Sequence, residues 1–71
     1  MQNELIQLGK RVRALRLQRG ISQEALADLA DIHRNYMSQI EAGKRNLSFL
    51  NVVKLARALK VSPSKLLEPI R

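Results

Sequence analysis

Residues 22–46 read SQEALADLADIHRNYMSQIEAGKRN, and this stretch decides how the chain is built. Two short runs with helical spacing flank Asp31 and Ile32, a break too brief for an ordinary loop. Ser22 is a good N-cap, because its hydroxyl can accept an otherwise unpaired N–H of the first helical turn. The run from Gln23 to Ala30 sets Leu26, Ala27 and Ala30 on one side, its inner face. Asp31 then tolerates a left-handed turn better than most residues other than Gly and Asn. The second run starts at His33 or Arg34 and reaches Glu41, with Met37 and Ile40 pointing inward. Ala42 and Gly43 end it.

A connection of three or four residues forces two short helices to cross steeply, as in a helix-turn-helix. Ala27 sits where they approach most closely, so a small side chain is required there. Ile32, Met37 and Ile40 anchor the second helix to the rest of the chain. Its outer face is left with Arg34, Asn35, Ser38 and Gln39, polar groups that a core does not need. Arg can make a bidentate contact with guanine O6 and N7, and Asn or Gln with adenine N6 and N7. Gathered on an outward helix, such residues suit reading of the DNA major groove. The plainer reading is a solvated polar face.

Outward from this pair, a first helix is expected over Asn3 to Arg19, with Leu5, Leu8, Val12 and Leu15 as its core stripe. Gly20 stops it, being the residue best able to take the left-handed C′ conformation, and Ile21 turns inward. After the polar loop GKRNL, Ser48 caps a fourth helix over Phe49 to Leu59. Leu50, Val53, Ala56 and Leu59 recur along it at helical spacing. Ser62 caps a fifth helix with Pro63 at its first position, and Pro69 ends it. The expectation is an all-α fold of five helices, one domain over residues 1–71.

Composition narrows the role. The chain has 71 residues, no cysteine, one histidine and only two aromatics, Tyr36 and Phe49. Disulfides are excluded, and a metal or other cofactor is not expected. Thirteen Lys and Arg oppose six acids, a formal net charge of +7. A basic domain of this size usually meets a polyanion. Lys10, Arg11, Arg13, Arg16 and Arg19 lie on several sides of the first helix, which reads as a basic globular surface rather than a membrane-lying face. With no long apolar run and no apolar signal core, a cytoplasmic location is expected. Two aromatics are too few for a stacking RNA binder. No Ser stands in a strand–elbow–helix context, and neither a Gly-rich phosphate loop nor a paired carboxylate set is present, so an enzyme is not expected.

GISQEALADLADIHRNYMSQIEAGKRNLS, residues 20–48, resembles the helix-turn-helix core of the Cro/phage-repressor (Xre) family of DNA-binding proteins. The likeness continues through LNVVKLARALKVSPSKLL, and HRNYMSQIEAGKRNLS is most similar to the controller proteins of restriction–modification operons. This resemblance implies a lambda-repressor-like five-helix domain that regulates transcription on double-stranded DNA. It implies that Arg34, Asn35 and Ser38 lie nearest the base edges, with Gln39 a further candidate. Gln23 would meet a phosphate at the start of the second helix, and Tyr36, Lys44, Arg45 and Asn46 would meet phosphates around the third. Arg16 and Glu41 match a structural ion pair of the family. Asp31 and Lys60 depart from the family pattern, standing where Gly is usual or frequent, at some local cost.

His33 reads as a helix cap or a phosphate neighbour rather than a metal ligand. Glu24 either accepts from cytosine N4 or complements the helix dipole. An antitoxin-type interaction module with secondary DNA binding is the alternative function, although no spare toxin-neutralising segment is visible. A domain this small cannot bury every apolar side chain near its C-terminus. Leu47, Phe49, Leu66, Leu67 and Ile70 are therefore expected at a homodimer contact, which the family resemblance also implies. Otherwise Leu66 and Leu67 only cap the monomer core. A two-fold dimer would place the recognition helices about 34 Å apart, on a pseudo-palindromic operator. With no second domain, no small-molecule effector is expected.

Overall fold

Four of the five helices begin at a hydroxyl or ring cap that the sequence supplies. The computed structural model describes residues 2–70, and the helices are α1 (Gln2–Gln18), α2 (Gln23–Ala30), α3 (Arg34–Glu41), α4 (Phe49–Ala58) and α5 (Pro63–Leu67). Ser22, Ser48 and Ser62 each accept the backbone N–H three residues on, at 3.0 to 3.1 Å. His33 caps α3 through Nδ1, which accepts from the Asn35 N–H at 3.2 Å. The expected helix ends agree with the observed ones to within a residue, the margin by which helix termini fray.

The first four helices also end alike. After α1, α2, α3 and α4, one residue turns left-handed, and the following N–H reaches back to a carbonyl five residues earlier. The four turning residues are Gly20, Asp31, Gly43 and Lys60, with φ of 68°, 56°, 74° and 59°. The closing bonds are Ile21 to Arg16, Ile32 to Ala27, Lys44 to Gln39 and Val61 to Ala56, at 2.9 to 3.4 Å. This is the Schellman closure, which satisfies carbonyls a helix end leaves bare. Glycine adopts the left-handed conformation without steric cost; Asp31 and Lys60 carry a Cβ into it and are strained by roughly 1–2 kcal/mol.

α1 packs on α3 and α5, α2 packs on α3 and α4, and α4 packs on α5. Leu8, Val12, Leu15, Leu26, Ala27, Ala30, Met37, Ile40, Val52, Leu55, Ala56, Leu59 and Leu66 form the core. Ala27 is buried as the crossing demands, and Ile32 packs partly buried against the same cluster. Gly9 has a role that its place in a helical pattern does not announce. A Cβ there would stand 2.5 Å from the Ile40 carbonyl oxygen and 2.7 Å from that of Glu41, so α1 and α3 touch almost backbone to backbone.

Two expectations are corrected. In α4 the buried positions are Val52, Leu55, Ala56 and Leu59; Val53 is only half-buried and Leu50 is 61% exposed. Ala56 and Leu59 are buried as expected, whereas Val52 and Leu55 take the inward places expected of Leu50 and Val53. Positions 52, 55, 56 and 59 form a complete i, i+3, i+4, i+7 stripe, and it outcompetes the sparser one through Leu50. Leu66 is fully buried in the monomer core and is withdrawn from the expected dimer contact, because α5 packs on both α1 and α4 and turns it inward.

Candidate nucleic-acid interface

The site grows from the crossing of α2 and α3. The Schellman turn at Asp31 and Ile32 reverses the chain within three residues, and Met37 and Ile40 bury one face of α3. The opposite face presents Arg34, Asn35, Ser38 and Gln39, all exposed. The four proposed base readers therefore share one accessible surface.

α3 is fixed at its far end by a buried polar cluster. Arg16 donates from Nε to Glu41 Oε2 at 2.7 Å and from Nη2 to Oε1 at 3.1 Å. Its Nη1 donates to the Ile21 carbonyl at 2.9 Å, and Gln23 Nε2 donates to Glu41 Oε1 at 3.0 Å. One carboxylate thus joins α1, α2 and α3. The bidentate fork satisfies both charges where little water reaches, with the two side chains 10% and 3% exposed. Hydrogen bonding to Glu41 raises the Arg16 guanidinium above its ordinary range, against the burial that lowers it. Gln23, expected on a phosphate, has its side-chain N–H engaged in this cluster.

The near end of α3 is held differently. Arg34 Nη1 donates to Glu24 Oε2 at 2.6 Å, across the crossing to α2, with both side chains well exposed. On the other flank Arg45 donates from Nε to Gln39 Oε1, and its guanidinium lies 5.3 Å from the centre of the Tyr36 ring. The Tyr36 hydroxyl accepts from Asn51 Nδ2 at 3.1 Å and donates to the Asn46 carbonyl at 3.4 Å. Tyr36, Arg45 and Asn46 therefore brace the loop after α3 against α4. Lys44, Arg45 and Asn46 remain exposed beside the recognition face.

Asn51 escaped the sequence reading; its only signal is its place in the first turn after Ser48. The basic residues of α1 do more than carry surface charge. Arg11 Nη2 donates to the Lys65 carbonyl at 3.1 Å, and Arg19 Nη1 donates to the Ala58 carbonyl at 2.9 Å. Each cation sits at the C-terminal end of another helix, where exposed carbonyls and the helix dipole favour it. With Arg16, three of the five basic residues of that cluster serve the fold.

An outward polar helix set by a tight turn on a basic body is the arrangement of a helix-turn-helix DNA-binding transcription regulator. The chain belongs to the helix-turn-helix family, whose sequence pattern matches residues 12–66. It is 48% identical to the control protein C.BamHI of Bacillus amyloliquefaciens over 61 residues, covering 84% of this chain and 75% of that one. Against the control protein C.MunI of a Mycoplasma species it is 38% identical over 66 residues, 92% of this chain and 89% of that one. The crystal structure of the restriction-modification controller protein C.AhdI from Aeromonas hydrophila superposes with a TM-score of 0.88 at 44% identity, covering 90% of this chain and 97% of that one. As a member of this class the chain is a non-enzymatic regulator that binds double-stranded DNA. Among the described residues no helix is long and apolar enough to cross a membrane.

Proposed function

We propose that the chain controls a restriction–modification operon by binding, as a symmetric homodimer, a pseudo-palindromic operator. The observation that carries this reading is the shared outward face of Arg34, Asn35, Ser38 and Gln39, in a chain whose relatives at 38–48% identity are control proteins. Arg34 and Asn35, at the start of α3, read base edges together with Ser38, and Gln39 is held ready by Arg45. Lys44, Arg45 and Asn46 meet phosphates, with the backbone at the start of α2 as a further anion site. Tyr36 acts chiefly by bracing that loop.

One recognition helix covers few base pairs, so two are needed for a unique site. Phe49, Leu50 and Leu67, at 79%, 61% and 38% exposure, supply apolar surface for pairing. Leu47 and Ile70, which pack partly buried against the core, form its margin. Burial of Leu66 moves the contact toward the start of α4.

Selection of bound sequences from a random duplex pool tests the DNA half of this reading. Two inverted half-sites about one helical turn apart are expected, and a lone half-site would sink the dimer. Sedimentation equilibrium of Phe49→Glu should give monomers. Deleting the gene should alter expression of neighbouring methyltransferase or endonuclease genes; no change there would remove the restriction–modification assignment.

A further inference from the structure

We propose that Glu24 is a positioning residue that sets sequence discrimination, by making Arg34 a poor ligand for phosphate while leaving it a good one for guanine. This rests on the reading of Arg34 as a base contact. Glu24 Oε2 lies 2.6 Å from Arg34 Nη1, and the two side chains are 62% and 64% exposed. The pair stands in water over the DNA-reading face. It opens readily, yet every complex must either open it or accommodate it.

Those two outcomes differ with the ligand. A guanidinium has five N–H donors in a planar fork, and Glu24 engages one nitrogen of it. The remaining donors can still reach the O6 and N7 acceptors of guanine, a neutral edge that does not repel the carboxylate. A phosphate is an anion. Bringing it to the same fork presses it against Glu24, and like charges at that separation repel. Glu24 therefore weakens Arg34's contacts to the sequence-independent backbone more than its contact to the base. Its place in the first turn of α2, where the helix dipole favours an anion, helps to hold the carboxylate in position.

Asp28 supplies the control. It lies one turn further along α2, exposed and equally acidic. Wild type, Glu24→Gln, Asp28→Asn, Arg34→Ala and the Glu24→Gln/Arg34→Ala double variant would be titrated at one salt concentration. The probes are the duplex selected from the random pool and a scrambled duplex of equal length. Glu24→Gln should tighten binding to the scrambled duplex by about 1.5–5-fold per protomer, the range of an exposed ion pair, and change binding to the selected duplex less. Asp28→Asn should affect both duplexes alike, and in the Arg34→Ala background Glu24→Gln should lose its selective effect. Unchanged discrimination in Glu24→Gln, or an equal loss in Asp28→Asn, overturns the proposal. So does loss of selected-site affinity at one base in Glu24→Gln, which would make Glu24 itself a base contact. If Arg34→Ala relaxes one base while Glu24→Gln does nothing, the restraint falls alone; if Arg34→Ala leaves every base preference intact, the base-contact reading falls with it.

Discussion

Glu41 and Arg34 sit at opposite ends of α3, seven residues or about two helical turns apart, so they share one stripe of the helix. Each meets an opposite charge at nearly the same distance, 2.7 Å for Arg16–Glu41 and 2.6 Å for Arg34–Glu24. Distance therefore does not separate them. Water does. The first pair is enclosed by three helices, with a backbone carbonyl and a glutamine completing its hydrogen bonds, whereas the second stands open to solvent. An enclosed pair that loses one partner leaves a charge stranded where it cannot be solvated, and an exposed pair that opens is simply rehydrated. The same two residue types can thus hold a helix at one end and stay available for a ligand at the other.

The largest effect should follow from breaking the enclosed pair. Arg16→Ala or Glu41→Ala should each destabilise the fold by about 3–5 kcal/mol, read from denaturant melts. The double variant should cost clearly less than the two singles together. Additive losses would show that the residues act independently and would end the comparison. Because the folded guanidinium is raised above its ordinary range, its contribution is complete below that range and lost only as pH climbs beyond it. The coupling should therefore be flat across neutral pH.

Gly9→Ala tests whether backbone contact, and not only charge, seats the far end of α3. Its methyl meets two carbonyl oxygens, which cannot rotate away, so a loss of about 1–3 kcal/mol is expected. A neutral melt would mean that α1 can slide aside.

At the exposed end the effect should move from stability to DNA. Arg34→Ala should leave the melt nearly unchanged, yet weaken the selected duplex by about 1–3 kcal/mol and relax one base position per half-site. Equal weakening on selected and random DNA would mark Arg34 as a phosphate contact.

Lys60→Gly, remote from both pairs, should give the smallest change and calibrate the rest. Relief of the left-handed backbone should raise stability by about 1 kcal/mol without altering DNA binding. No gain would mean that the lysine side chain offsets its strain.

What the sequence disclosed follows the range of each interaction. Helix starts were legible because Ser22, Ser48 and Ser62 cap within their own first turn. The outward face of α3 was legible because Met37 and Ile40 settle the inward one. The first half of the α4 stripe was not legible because Leu50 and Val52 are equally apolar, and only packing against α2 and α5 chooses between them. Gly9 and Asn51 went unnoticed, since each matters through a residue far along the chain. Arg11 and Arg19 looked like a surface charge cluster because the carbonyls they meet belong to helices that only the folded topology brings near. The Arg16–Glu41 pair was visible through family resemblance, and no spacing rule would have joined positions twenty-five apart.

The brevity of α3 has a consequence for dosage. Eight residues are too few to hold a helix in water, where about 12–15 are marginal even for favourable sequences. The reading surface therefore has no existence apart from the folded whole, since its helix is borrowed from contacts with α1 and α2. A partly unfolded chain, or one clipped within α1, would be silent on DNA rather than weakly active. The concentration of working regulator is then the concentration of folded chains, and for a domain of marginal stability a shift of 1.4 kcal/mol changes the folded-to-unfolded ratio about tenfold.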